Sequence, residues 1–159
     1  MSEEDESTEE KYDSRPETWE HINSVQTNII AFITLMNQRL LVHDQSKLTS
    51  PEVEAFDEWT PKLAKLEYGS EEYDASLEEL KPALQHHYAK NSHHPEHYEN
   101  GINEMTLMDV VEMLCDWKAA TERMHDGNIR KSLTINKKRF SISPQLYKIL
   151  ENTVKELGW

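Results

Sequence analysis

Eight histidines occur in the 159 residues, and five of them, His86, His87, His93, His94 and His97, fall within twelve positions. Imidazoles crowded beside polar loop residues suit metal or phosphate chemistry better than core packing. Neighbouring helix residues point about 100° apart, so at most one of His86 and His87 can face a shared centre. His87 is the better candidate, because Asn91 lies one turn later on the same face and leads into a loop holding His93 and His94. His86 and His97 read as surface residues.

A second group of reactive side chains closes an apolar stretch, in LLVHDQSKL at residues 40–48. A histidine and an aspartate that start near buried surface are costly unless coordinated or hydrogen-bonded. The same dipeptide recurs as His125-Asp126, but there it runs into Gly127 and reads as a helix end followed by a turn. Lys47, one turn after His43, could reach a phosphate or pair with Glu52 across the loop. Asp109 and Asp116 lie seven apart on one helix and differ in setting. Asp109 sits where a capping-box acid belongs, three residues after Thr106. Asp116 stands mid-helix in EMLCDWKAA, where no cap needs it, and a carboxylate there calls for a metal or a histidine. Glu112, one turn earlier, could orient a ligand, a water or a lysine. Cys115 reads as core.

These residues need helices to position them. Ile22, Val25, Ile29, Ile33, Met36 and Leu40 recur at helical spacing and predict a helix over 17–43. Ser50-Pro51 and Thr60-Pro61 each look like a helix start, with Gly69 ending that pair of short helices. Ser76 with Glu79 forms a capping-box pattern near the front of a helix reaching Lys90, kinked or restarted near Pro82. NSHHPEHYENG, residues 91–101, reads as a loop. Thr106 opens a helix whose apolar residues Leu107, Val110, Val111, Leu114 and Cys115 run toward Ala120, and Ser143-Pro144 opens a last one stopped by Gly158. No segment alternates with period two. The expectation is an all-α fold of six or seven helices, one domain over 16–159 behind a disordered acidic tail at 1–15.

The net charge of −13 excludes general nucleic-acid binding, which needs a basic footprint. The charge is uneven: residues 1–15 carry seven acids against two bases, and residues 128–159 carry seven bases against two acids. An anionic ligand would find cations near the C-terminus, with Arg139 ahead of Arg130 and Lys131. No stretch approaches the roughly 20 apolar residues of a membrane span, and MSEEDESTEE lacks the regions of a signal peptide. With a single cysteine and so no internal disulfide, a cytoplasmic protein is expected. A homodimer is allowed but not required.

Four blocks in order carry a resemblance. His21, then His43-Asp44 with Ser46-Lys47, then Asp116 near Ala119-Ala120, resemble the H…HD…D signature of the HD-domain metal-dependent phosphohydrolase superfamily, with Ser46 where glycine is usual in the HDxGK-like segment. More closely, HDQSKL with Glu52, HHYAKNSHHPEHY and EMLCDW resemble an uncharacterised bacterial and phage family, related to HD domains, that carries HDxSKF, HxxxNxHH and EMxxDW. The resemblance spans about residues 18–120. It implies that His21, His43, Asp44 and Asp116 ligate one divalent metal, with His87 and His94 as ligands of a second metal or as groups for phosphate or a proton. Mn, Fe, Co, Ni, Zn and Mg all suit such a donor set. It further implies phosphohydrolysis of a small phosphorylated molecule such as a nucleotide, through metal-activated water. His94 or Lys47 would stabilise charge or protonate the leaving oxygen, Glu112 would assist, and His87, Asn91 and His93 would contact substrate, with Arg139, outside the matched blocks, added on its charge alone. The ligand set requires a bend, since a straight helix would hold His21 roughly 33 Å from His43. Asn37-Gln38 offers the break. Two other readings stand beside this one: an HD-fold di-iron oxidase or oxygenase, and a non-enzymatic metal-binding interaction protein.

Overall fold

The computed structural model describes residues 12–63, 65–66, 71–123 and 127–159. The fold is all-α, with six helices and no strand among the described residues: α1 (Arg15–Val42), α2 (Glu52–Leu63), α3 (Glu71–Lys90), α4 (Leu107–Glu122), α5 (Ile129–Arg139) and α6 (Pro144–Glu156). Short 3-10 turns at Gln45–Leu48, Pro95–His97 and Gly101–Glu104 connect them. The acidic tail through residue 11 and the His125-Asp126 turn lie outside the described residues. No helix among these residues is long and apolar enough to cross a membrane.

Contacts divide the chain into two units, one ending at Leu41 and one running from Val42 to Trp159. The first contains α1, whose regular apolar spacing forms one unbroken helix through Asn37-Gln38. The break anticipated there does not occur, because nothing in that stretch removes a backbone donor or favours left-handed backbone. No residue of α1 is buried, and Ile30, Leu40 and Leu41 are largely exposed.

In the second unit α4 is opened by the expected capping box: Thr106 Oγ1 accepts from the Asp109 amide, and the Asp109 carboxylate accepts from the Thr106 amide at 2.8 Å. Val110, Met113, Leu114 and Trp117 follow at helical spacing and join Ile129, Leu133, Ile142, Leu150 and Val154 in the apolar core, with Trp117 stacked on Phe140. Cys115, expected in the core, is exposed instead, because the buried stripe runs 110-113-114-117 and leaves it on the outer side. Ser143 caps α6, whose end carries a Schellman bond from the Trp159 amide to the Val154 carbonyl across Gly158 at φ 70°.

Two helix starts read from the sequence are not starts. Pro61 lies in the last turn of α2, where its missing N–H costs a single backbone bond near an end, so Thr60 does not open a new helix. Ser76 lies inside α3, its hydroxyl donating to the Glu72 carbonyl at 2.8 Å, and α3 continues past Pro82 to Lys90 without restarting.

Candidate metal centre

The site belongs wholly to the second unit. Past the end of α1 the chain turns through His43 to Asp44, which adopts left-handed backbone at φ 55° and leads into the 3-10 turn Gln45–Leu48. Aspartate tolerates that conformation better than most residues. The last turn of α3 carries His87, the residues that follow bring in Asn91, His93 and His94, and α4 contributes Glu112 and Asp116. The rings of His93 and His94 have centroids 4.1 Å apart, those of His43 and His93 4.5 Å, and those of His87 and His94 4.8 Å.

Two carboxylates, Glu52 buried and Glu112 largely so, fix which nitrogens these rings turn inward. Glu112 Oε1 lies 2.8 Å from His43 Nδ1 and 3.1 Å from His93 Nδ1. Glu52, the first residue of α2 and fully buried, meets His86 Nδ1 at 2.7 Å with one oxygen and His87 Nδ1 at 2.8 Å with the other. A carboxylate only accepts, so each Nδ1 carries the proton and Nε2 of His43, His87 and His93 is left with a lone pair. Ser46 donates to Glu52 at 3.0 Å and accepts from Asn91 Nδ2 at 2.9 Å, which ties the 3-10 turn to α3.

The inward nitrogens converge on Asp44. Its Oδ1 lies 3.3 Å from His87 Nε2 and 3.5 Å from His93 Nε2, and His87 Nε2 lies 2.9 Å from His94 Nε2. Asp44 Oδ1 and His93 Nε2 are buried without any hydrogen-bond partner. Two lone pairs facing each other without a proton between them repel, and a cation is what such a pair accommodates. Donors about 2.1 Å from one ion lie roughly 3.0 Å apart at right angles and roughly 3.4 Å apart in a tetrahedron, the range of spacings found here. Two groups could hold an ion, Asp44 with His87, His93 and His94, and His43 with Asp44, His93 and Asp116; within each the donor atoms lie within 4.8 Å of one another.

A family model described as "Family of unknown function (DUF5662)" matches residues 10–156. The chain belongs to DUF5662. No curated protein and no solved structure matches it. The matched span contains both groups and both orienting glutamates of this DUF5662 chain.

The electrostatics follow the geometry. Burial would raise the Asp44 carboxyl, but the close approach of His87 and the bond from Lys47 overcome this and hold it far below the usual range. Burial, with the neighbouring His93 and His87, pushes His94 down to about 3, so it is neutral and able to donate a lone pair. The bond to Glu112 raises His43 against the opposing effect of burial. Burial would raise Glu52, and His86, Ser46 and His87 together lower it.

The residues singled out from the DUF5662 sequence have mixed fates. His43, Asp44, His87, His93, His94 and Asp116 are brought together. His21 lies in the first unit, exposed on unbroken α1. Lys47 pairs with Asp44 Oδ2 at 2.6 Å rather than with Glu52, whose oxygens are taken by Ser46 and two histidines. His86 and His87 do reach one shared group, because Glu52 presents a separate oxygen to each. Asn91 is 8% exposed and donates within the protein, to Ser46 and to the His87 carbonyl. Arg139 forms an exposed pair with Glu96 at 2.7 Å. Glu52 is the residue that sequence reasoning missed as a site member. Its partners lie 34 and 35 positions away, and only its place in the HDxSK…E block marked it.

Proposed function

We propose that this chain is a metal-dependent phosphohydrolase acting on a small phosphorylated molecule such as a nucleotide. One observation carries the metal part of the reading: the unpartnered Asp44 Oδ1 and His93 Nε2, buried and 3.5 Å apart, with His87 and His94 completing a four-donor set. The resemblance to HD-domain enzymes in His43-Asp44, the HDQSK segment and Asp116 supports the hydrolase part.

A divalent ion would supply positive charge to phosphate oxygens and lower the pKa of a coordinated water. Asp44 and the three imidazoles are the groups that would hold it. Glu52 and Glu112 keep the ring nitrogens aimed inward, which removes the cost of finding the right tautomer at the moment of binding. Lys47, beside Asp44 and partly exposed, would supply a cation to an anionic substrate. The exposed Arg139–Glu96 pair offers a second cation near the Tyr88 hydroxyl.

The test is reconstitution with Mn, Fe, Co, Ni, Zn or Mg in turn, followed by metal analysis and a phosphate-release screen over nucleotides. Retained metal with chelator-sensitive phosphate release is the expected result. Failure to retain any of these ions, or retention without release from any substrate, overturns the reading. Iron-dependent oxygen consumption without phosphate release would establish an oxidase in its place.

A further inference from the structure

The two metal-capable groups share Asp44 and His93, and the chain does not have enough free donor atoms to fill both. His93 offers a single lone pair, because its Nδ1 is engaged by Glu112 at 3.1 Å. That nitrogen, Nε2, faces Asp44 Oδ1. The second group must then rely on His43, Asp116 and the other oxygen of Asp44. His43 Nε2 lies 3.6 Å from Asp44 Oδ2 and 3.9 Å from Asp116 Oδ1. Asp44 Oδ2, however, already receives the ammonium of Lys47 at 2.6 Å, a distance typical of a strong charge-assisted bond. The ammonium also lies over the Phe56 ring, 5.7 Å from its centre.

We propose that Lys47 is the second cation of this site, its ammonium standing on Asp44 Oδ2 where a second divalent ion would have to bind, so that the chain holds one ion, on Oδ1. The inference rests on the metal reading above and deepens it. Asp44 then serves two different cations, one exchangeable and one covalently tethered. With Oδ2 and His93 both committed, His43 and Asp116 are two donors alone, too few to retain an ion. A tethered ammonium neutralises charge beside the first ion, cannot be removed by a chelator, and brings no water of its own to the site.

The experiment counts Mn(II) per full-length chain by elemental analysis and records its electron paramagnetic resonance spectrum. The wild-type chain is expected to bind one ion with a mononuclear spectrum. Lys47→Met, which keeps the stem and removes the charge, is expected to bind two, with a spin-coupled spectrum, and Lys47→Arg to stay at one. A wild-type chain with two ions overturns the inference and leaves the metal reading intact, whereas a wild-type chain with none overturns both. Lys47→Met that still takes only one ion also overturns it. Should that variant not fold, Asp116→Asn decides: the single ion is retained at unchanged affinity if Asp116 holds none, and its loss contradicts the assignment.

Discussion

Helix α4 borders two buried centres of opposite character. On one side Val110, Met113, Leu114 and Trp117 interlock with α5 and α6 in an apolar core. On the other, Glu112 and Asp116 face a group of imidazoles that, with Glu52 and Asp44, is largely shielded from water. The first centre is stabilising by its nature, since burying apolar surface is favourable wherever it happens. The second is a burden on the fold until something satisfies it, since buried ionisable groups destabilise unless they are paired or coordinated. The contrast teaches that one helix can separate the residues that make the protein stable from those that make it useful.

The sharpest way to break this division is to damage the apolar side. Leu133→Ala, at a residue 1% exposed, is expected to lower stability by about 2–5 kcal/mol in urea denaturation while leaving metal per folded chain unchanged. Loss of metal in that variant would show that the two centres are not separable. On the polar side, an ion at a hundredfold excess over its Kd is expected to stabilise the wild-type chain by roughly 2.7 kcal/mol, an increment that His93→Ala abolishes. Thermal melts with and without the ion check this. Glu112→Gln, which leaves the ring nitrogens of His43 and His93 poorly held, is expected to weaken metal affinity about 10–100-fold in calorimetric titration with little change in the melting of the metal-free protein.

A comparison of two aspartates, Asp109 buried and Asp44 half-buried, sharpens the point further. Asp44 keeps an oxygen without a partner, whereas Asp109 is fully supplied by the Thr106 amide and hydroxyl, Ser92 and Tyr98. Burial would raise the Asp109 carboxyl, but hydrogen bonds from Thr106, Ser92 and Tyr98 bring it from 3.8 down to about 2. Between these values the unfolded chain binds a proton and the folded chain does not, so stability falls as pH falls through this window. The loss is on the order of 2 kcal/mol, and Asp109→Asn should flatten that part of the denaturation-versus-pH curve. The smallest effect belongs to Arg139→Ala. Its partner pairing with Glu96 is exposed, so stability should change by about 0.2–1 kcal/mol and metal content not at all.

What could be read from the sequence divides along the same line. The capping box of α4, the Ser143 cap of α6 and the long periodic stretch of α1 are local signals, written within a few residues of the structure they produce. The histidine cluster and His43-Asp44 were visible for the same reason. The connections between them were not. Glu112 lies 69 positions from His43, and Glu52 lies 35 from His87, so no spacing rule announces those bonds. In α1 two readings of one segment conflicted: the unbroken apolar spacing from Ile22 to Leu40 argued for a straight helix, and the ligand pattern with His21 required a bend. Local periodicity was the stronger of the two. Lys47 was noticed for its charge, but its partner depended on which carboxylate still had an oxygen to offer.

The left-handed backbone at Asp44 has a consequence for any survey of substitutions at this site. A residue with a Cβ and no compensating local hydrogen bond carries a penalty of roughly 1–2 kcal/mol in that conformation. Asp44→Ala would therefore combine a missing ligand with a strained turn, and Asp44→Gly would relieve the turn while still removing the ligand. Asparagine, nearly the same shape and equally at ease with positive φ, removes the charge alone. A tolerance map that ranks asparagine and glycine above alanine at position 44 would record the shape of the chain, and only the difference between aspartate and asparagine would report on its chemistry.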